Sequence, residues 1–152
     1  MIREITDSDF DGLMRLYAQL GPNPVPEKAG EALEVWRGIL SDKNHHIIVA
    51  EENGRIISSC VCVIIPNMTH DQRPYAVVEN VVTDVEYRCR GYATACLDYA
   101  AKIAESRGCY KIMLMTGSKK ESTLRFYERA GYSRTAKTAF LRRLTAGEEK
   151  KC

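Results

Sequence analysis

The chain has 152 residues, enough for one domain with a core of its own and short for two. Its 45% hydrophobic and 28% charged content is that of a globular domain and excludes a disordered or low-complexity chain. A formal net charge of +2 is too small to argue for nucleic acid by bulk electrostatics, and no apolar run approaches the ~18 residues of a membrane helix.

IREIT (2–6) alternates as an opening strand, and Thr6 with Asp9 forms a capping box for a helix expected over 7–20. GPNPVP (21–26) breaks it, and a second helix fits 27–41, with Leu33, Trp36, Ile39 and Leu40 inward. HHIIVAEE (45–52) and RIISSCVCVII (55–65) flank Asn53 and Gly54, a two-residue hairpin signal because both positions tolerate positive φ. After the polar loop PNMTHDQRP (66–74), the nearly continuous apolar run YAVVENVVT (75–83) predicts a strand covered on both faces.

A helix follows over about 91–106, ended by Gly108, then a strand CYKIMLMT (109–116) and a helix over 121–130 closed by Gly131. Two short strands near 132–136 and 138–144 complete the pattern before a charged tail, 147–152, that is expected to fray. The order β-α-α-β-β-β-α-β-α-β-β predicts an α/β (α+β) fold: a central mixed, mostly antiparallel sheet with helices on both faces, in a single domain over 1–146. Met1 leads directly into a charged, strand-like segment without signal-peptide architecture, so a cytoplasmic location is expected.

The six cysteines match neither a zinc spacing nor a secreted disulfide framework, so no metal is expected. Cys60 and Cys62 fall on one face of a strand, where a reduced thiol acts as a small apolar side chain.

VEYRCRGYATACLDYA (85–100) opens a helix with a glycine and two arginines, although a first helical turn favours acidic residues and a polar cap. A bound anion satisfies free helix N–H groups as well as a cap does. Gly91 permits close backbone approach, Ala93 removes side-chain bulk, and Arg88 and Arg90 bring charge to where phosphate oxygens would lie, so the segment predicts a cradle for a diphosphate. It lacks the Walker lysine and the three spaced glycines of the dinucleotide fingerprint.

Arg88, Gly91 and Ala93 form an Arg-x-x-Gly-x-Ala motif after a buried strand, and FYERAGY (126–132) ends the next helix with an aromatic, a tyrosine and a Gly-Tyr pair. With the element order over 2–144, these resemble the GNAT superfamily of N-acetyltransferases. More narrowly, VENVVTDVEYRCRGYA and CYKIML are similar to small stand-alone members such as the glucosamine-6-phosphate N-acetyltransferases and bacterial amine acetyltransferases.

The resemblance implies the GNAT fold and direct transfer of an acetyl group from acetyl-CoA to a primary amine, with no acyl-enzyme. The amides around Cys89, Arg90, Gly91, Tyr92, Ala93 and Thr94 would hold the CoA diphosphate, and Val81, Val82 and Thr83 the pantetheine arm. Where relatives place a CoA-contacting asparagine, the loop GSKKEST (117–123) has none, and Ser118 or Ser122 would substitute. Tyr127 would protonate or hydrogen-bond the departing thiolate.

An alkyl amine with a pKa near ~10.4 is mostly protonated at neutral pH, so a base is required. Glu79 lies in an apolar strand where desolvation would raise its pKa, and it is the candidate, directly or through water; His70 in the loop 66–74 competes. The acceptor pocket is expected between 21–26, 66–74 and Tyr75, with Arg73 available to an anionic substrate group. Amino sugars, polyamines and aminoglycosides are the candidate acceptors. Peptide or protein amines are the alternative acceptor class, and a non-catalytic acyl-CoA sensor is the alternative function. The apolar residues of TAFLRRL (138–144) make a homodimer an expectation.

Overall fold

The first strand of the computed structural model, β1 (Ile2–Glu4), leads into a 3-10 turn at Asp7–Asp9 and helix α1 (Phe10–Tyr17). The Thr6 N–H donates to Asp9 Oδ2 at 2.6 Å, closing one half of the expected capping box. Residues 1–21 and 24–144 are described. They divide into two compact units, Met1–Thr116 and another that starts at Gly117. The tail 147–152, with Cys152, and the middle of the 21–26 linker lie outside the described residues.

α1 ends at Tyr17, short of the expected 20, and α2 runs over Gly30–Ser41. Gly30 has φ of 49°, outside the right-handed helical region, so α2 does not extend back to Glu27. Of its expected inward side chains Trp36 is buried, Leu33 and Ile39 are half-buried, and Leu40 is exposed. Trp36 Nε1 donates to Asp7 Oδ1 at 2.9 Å, and its ring meets Phe10 edge-on at 5.2 Å.

β2 (His45–Glu52) and β3 (Arg55–Ile65) form the expected hairpin, with Asn53 at φ 51° and Gly54 at 75°, the left-handed pair that matches strand twist. β4 (Tyr75–Thr83), helix α3 (Tyr92–Ser106) and β5 (Ile112–Leu114) complete the first unit. The sheet order is β1-β2-β3-β4-β5, antiparallel except for the β4–β5 pair joined by the α3 crossover.

Strand alternation divides the core between the two faces. Phe10, Leu13, Leu16 and Trp36 pack with Ile47, Val49, Val61 and Val82 on one face. α3 packs on β2, β3 and β4 and buries Cys96, Leu97, Ala100 and Ala104. Cys60 and Cys62 are buried as read from sequence; desolvation pushes the Cys62 and Cys96 thiols up to about 11, which keeps them neutral in the core.

In the second unit, α4 spans Glu121–Arg129. The two strands expected at 132–136 and 138–144 do not form: among the described residues no strand follows α4. Ser133 Oγ accepts the N–H groups of Thr135 (3.3 Å) and Ala136 (3.2 Å), a local turn that competes with extension. Phe140, Leu141 and Leu144 are exposed by 92%, 72% and 87%, so no partner strand covers them.

Candidate active site

β4 departs from regular pairing at Asn80. Glu79 is opposite Val61 and Val82 opposite Ser59, so Asn80 and Val81 together face Cys60. Two residues against one make a β-bulge. Asn80 forms it at φ 50°, a left-handed backbone that asparagine tolerates better than most side chains. On the other edge, the parallel ladder to β5 ends at Val78 and Leu114. β4 continues to Thr83, so the backbone groups of 79–83 on that edge lie beyond the β5 ladder, and a ligand can use them.

Asp84 follows and is 2% exposed. It accepts Arg55 Nη2 at 2.7 Å and the Glu86 N–H at 3.2 Å, which starts a 3-10 turn at Val85–Tyr87. Desolvation opposes its charge, but the Glu86 amide, Arg55 and Gln19 together hold its carboxyl below the usual carboxylate range. Gln19 Oε1 also accepts the Val85 N–H at 3.0 Å.

The turn then passes through Cys89 at φ 61° and Gly91 at φ 84°. Gly91 is the N-cap residue of α3, with no side-chain cap and no acidic residue in the first turn. The first helical bond runs from the Ala95 N–H to Gly91 O at 2.9 Å, so the amides of Tyr92, Ala93 and Thr94 have no acceptor within the helix. A Cβ placed on Gly91 would meet nothing within 4 Å. The glycine is therefore demanded by its backbone angle, and the space beside it is open.

Around this turn, Tyr92 Oη donates to Glu52 Oε1 at 3.0 Å, and that bond raises the phenol pKa. The Arg90 and Arg55 guanidinium groups lie 5.2 and 5.6 Å from the Tyr87 ring. Arg88 Nε donates to Thr83 O at 3.1 Å. Both Arg88 and Arg90 remain exposed next to the turn.

The fold thus gathers Glu79, Val81, Val82, Thr83, Arg88, Cys89, Arg90, Gly91, Tyr92, Ala93 and Thr94 along one stretch from bulge to helix. Glu79 does not have the burial expected of it. It is exposed, as is Asn80, because the bulge carries both out of the core.

His70 is exposed and stacks on Tyr110 at 3.9 Å between centroids. Arg73 donates to the carbonyls of Gly108 and Cys109, both at 3.2 Å, so it tethers the loop 66–74 beyond the C-terminal end of α3. Two surface grooves flank α2; one includes Lys28 and Arg37, the other Met14 and Trp36, and neither is lined by a cradle residue.

Tyr127 and Ser122 are on α4 of the second unit. The Tyr127 ring is 4.9 Å from Phe126 and 6.4 Å from Tyr132, whose N–H donates to Tyr127 O at 3.0 Å. Ser118 Oγ accepts the Lys120 N–H at 3.3 Å. Among the described residues, no cluster of three or more His, Cys, Asp or Glu is placed to hold a metal, and no helix is long and apolar enough to cross a membrane.

Sequence reasoning missed Arg55, Asp84, Glu52 and Gln19, which brace the turn. The isolated Asp84 after an apolar strand was the available signal, but its partner Arg55 precedes it by 29 residues in a separate hairpin.

The acetyltransferase (GNAT) family pattern matches residues 10–132. The chain belongs to that family, as its fold and the strand–turn–helix site at Gly91 indicate. It is 36% identical to a solved putative acetyltransferase from Agrobacterium tumefaciens, with a TM-score of 0.88 over 95% of this chain and 99% of that one. A glucosamine-6-phosphate N-acetyltransferase structure from Arabidopsis thaliana is 25% identical, with a TM-score of 0.82, covering 95% of this chain and 97% of that one.

A curated glucosamine 6-phosphate N-acetyltransferase from Trypanosoma brucei brucei is 35% identical over 82 residues, 54% of each chain. The match therefore spans about half the length of that relative.

Proposed function

We propose that the protein transfers an acetyl group from acetyl-CoA to the primary amine of a small molecule. The observation that carries this reading is the uncapped, left-handed Gly91 at the head of α3, beside an open space and following a strand that runs on beyond the β5 ladder. Three amides without helical acceptors and two exposed arginines fit a diphosphate. When bound, acetyl-CoA supplies the acetyl group as an activated thioester.

The amides of Tyr92, Ala93 and Thr94, with the turn at Cys89, Arg90 and Gly91, hold the diphosphate, and Arg88 adds charge beside it. The stretch of β4 at Val81, Val82 and Thr83, beyond the β5 ladder, aligns the pantetheine arm as an added strand would. Glu79, exposed at the bulge, takes the proton from the incoming ammonium directly or through water, leaving a neutral amine to attack the thioester carbon. Tyr127 donates a hydrogen bond to the sulfur as its bond to the acetyl carbon breaks, and Ser122 contacts the cofactor from the head of α4. Likeness to glucosamine-6-phosphate N-acetyltransferases favours an amino sugar among the acceptors.

Pairing of two copies belongs to the same reading, supported by the exposed Phe140, Leu141 and Leu144. The test is thiol release from acetyl-CoA in the presence of amino sugars, polyamines, aminoglycosides and peptides. Acetylation of a small amine is expected. Tight CoA binding with no turnover on any amine would replace the enzyme reading with an acyl-CoA sensor.

A further inference from the structure

Behind the β4 bulge sit polar groups to which the proposed reaction gives no part. Tyr17 closes α1, on the same side of the helix as Met14 and Phe10 one and two turns earlier. Its hydroxyl oxygen is buried, as is Ser59 Oγ on β3, and neither closes a well-formed hydrogen bond. Tyr17 is within electrostatic reach of Ser59, Cys60 and the Asn80 side chain. Asn80 is the bulge itself, Cys60 faces it across the ladder, and Ser59 is the next residue along β3, opposite Val82. Burial pushes the Tyr17 hydroxyl up to about 12, so it remains a neutral donor.

Two hydroxyls at this depth are costly unless they do something for their neighbours. The neighbour in need is Asn80, a non-glycine residue at φ 50° whose backbone decides where Glu79 and the stretch 79–83 beyond the β5 ladder point. Nothing local enforces that angle, because an asparagine in a strand also adopts extended backbone.

We propose that Tyr17 and Ser59 are positioning residues: their hydroxyls engage the Asn80 side chain and so hold the left-handed turn that aims Glu79 and the cofactor-binding edge of β4. The consequence for turnover rests on the acetyltransferase reading, whereas the consequence for the strand does not.

A double-mutant cycle separates this role from simple packing. Tyr17→Phe is made in the natural chain and in an Asn80→Gly background, because glycine adopts φ 50° without help. Hydrogen exchange is followed on a peptide covering 76–83, alongside kcat for thiol release and the melting temperature. In the natural chain, Tyr17→Phe should speed exchange in 76–83 and lower kcat by about tenfold. In the Asn80→Gly background the same change should alter each by less than about twofold. Asn80→Ala, which must adopt the angle unaided, should reproduce the Tyr17→Phe phenotype, and Ser59→Ala supplies a second hydroxyl deletion if Tyr17→Phe does not fold.

Equal effects of Tyr17→Phe in both backgrounds, or no change in exchange across 76–83, would overturn the assignment. If no variant or natural enzyme releases thiol while exchange follows the expected pattern, the acetyltransferase reading falls and the positioning role stands. Turnover with a flat exchange response removes the positioning role and leaves the acetyltransferase reading intact.

Discussion

Arg55 Nη2 lies 2.7 Å from Oδ2 of Asp84, joining the tip of the β2–β3 hairpin to the first residue after β4. The carboxylate is buried just ahead of the turn proposed to receive a diphosphate, and Arg55 neutralises it there. Without the guanidinium, that charge would repel an anionic ligand. Arg55→Gln should therefore weaken CoA binding by about tenfold, with a penalty that shrinks at high salt. Calorimetric titration at two ionic strengths checks this; an unchanged dissociation constant would assign the pair to stability alone.

Gly91 separates ligand space from protein packing. Its φ of 84° strains any side chain, yet a Cβ would touch no protein atom. Gly91→Ala should cost only ~1 kcal/mol of stability. Gly91→Val should fold as well but lose CoA affinity by more than about tenfold, because the added methyls occupy the space beside the free amides. Thermal melts paired with titrations test both; normal CoA affinity in Gly91→Val would remove the cradle from this turn.

Tyr127 is proposed to act on the leaving sulfur. A thiol ionises near ~8.5, so its thiolate leaves readily, and Tyr127→Phe should lower kcat by no more than about 10²-fold, with acetyl-CoA affinity nearly unchanged. Single-turnover kinetics read the chemical step directly. An unaltered rate constant there would end the acid assignment.

Glu79 carries a different signature, since its proposed task is to deprotonate the acceptor. Glu79→Gln should depress kcat/KM most at neutral pH and recover toward the natural enzyme as pH approaches the amine pKa near ~10.4, where the free base is abundant. His70→Asn should leave that profile in place. A pH-independent loss in Glu79→Gln, or a lost profile in His70→Asn, would shift the base elsewhere.

Asp9 provides a stability prediction. The Arg3 guanidinium meets it at 2.6 and 2.8 Å, and that pairing, outweighing desolvation and assisted by Thr6, lowers its carboxyl to about 2. A carboxylate with a folded pKa below its unfolded value stabilises the native state above the unfolded pKa near ~4, and that contribution disappears as pH falls toward 2. Urea denaturation between pH 5 and about 2 should show a steeper loss for the natural chain than for Asp9→Asn. Parallel curves would mean that Asp9 has no part in acid unfolding.

The helices at Phe10, Gly30, Tyr92 and Glu121, the Asn53–Gly54 hairpin and the bare helix start at Gly91 were legible from sequence alone. Each rests on a local rule: helical spacing of apolar residues, left-handed turn residues, or a missing cap. The tertiary structure decided the rest. YAVVENVVT reads as a strand covered on both sides, but the bulge at Asn80 exposes Glu79, and a bulge depends on register against β3 that no local window contains. The Arg55–Asp84 and Tyr92–Glu52 contacts join positions 29 and 40 residues apart. The apolar pattern of 138–144 suggested a strand, yet a strand exists only against a partner's backbone, and Ser133 turns the chain locally instead.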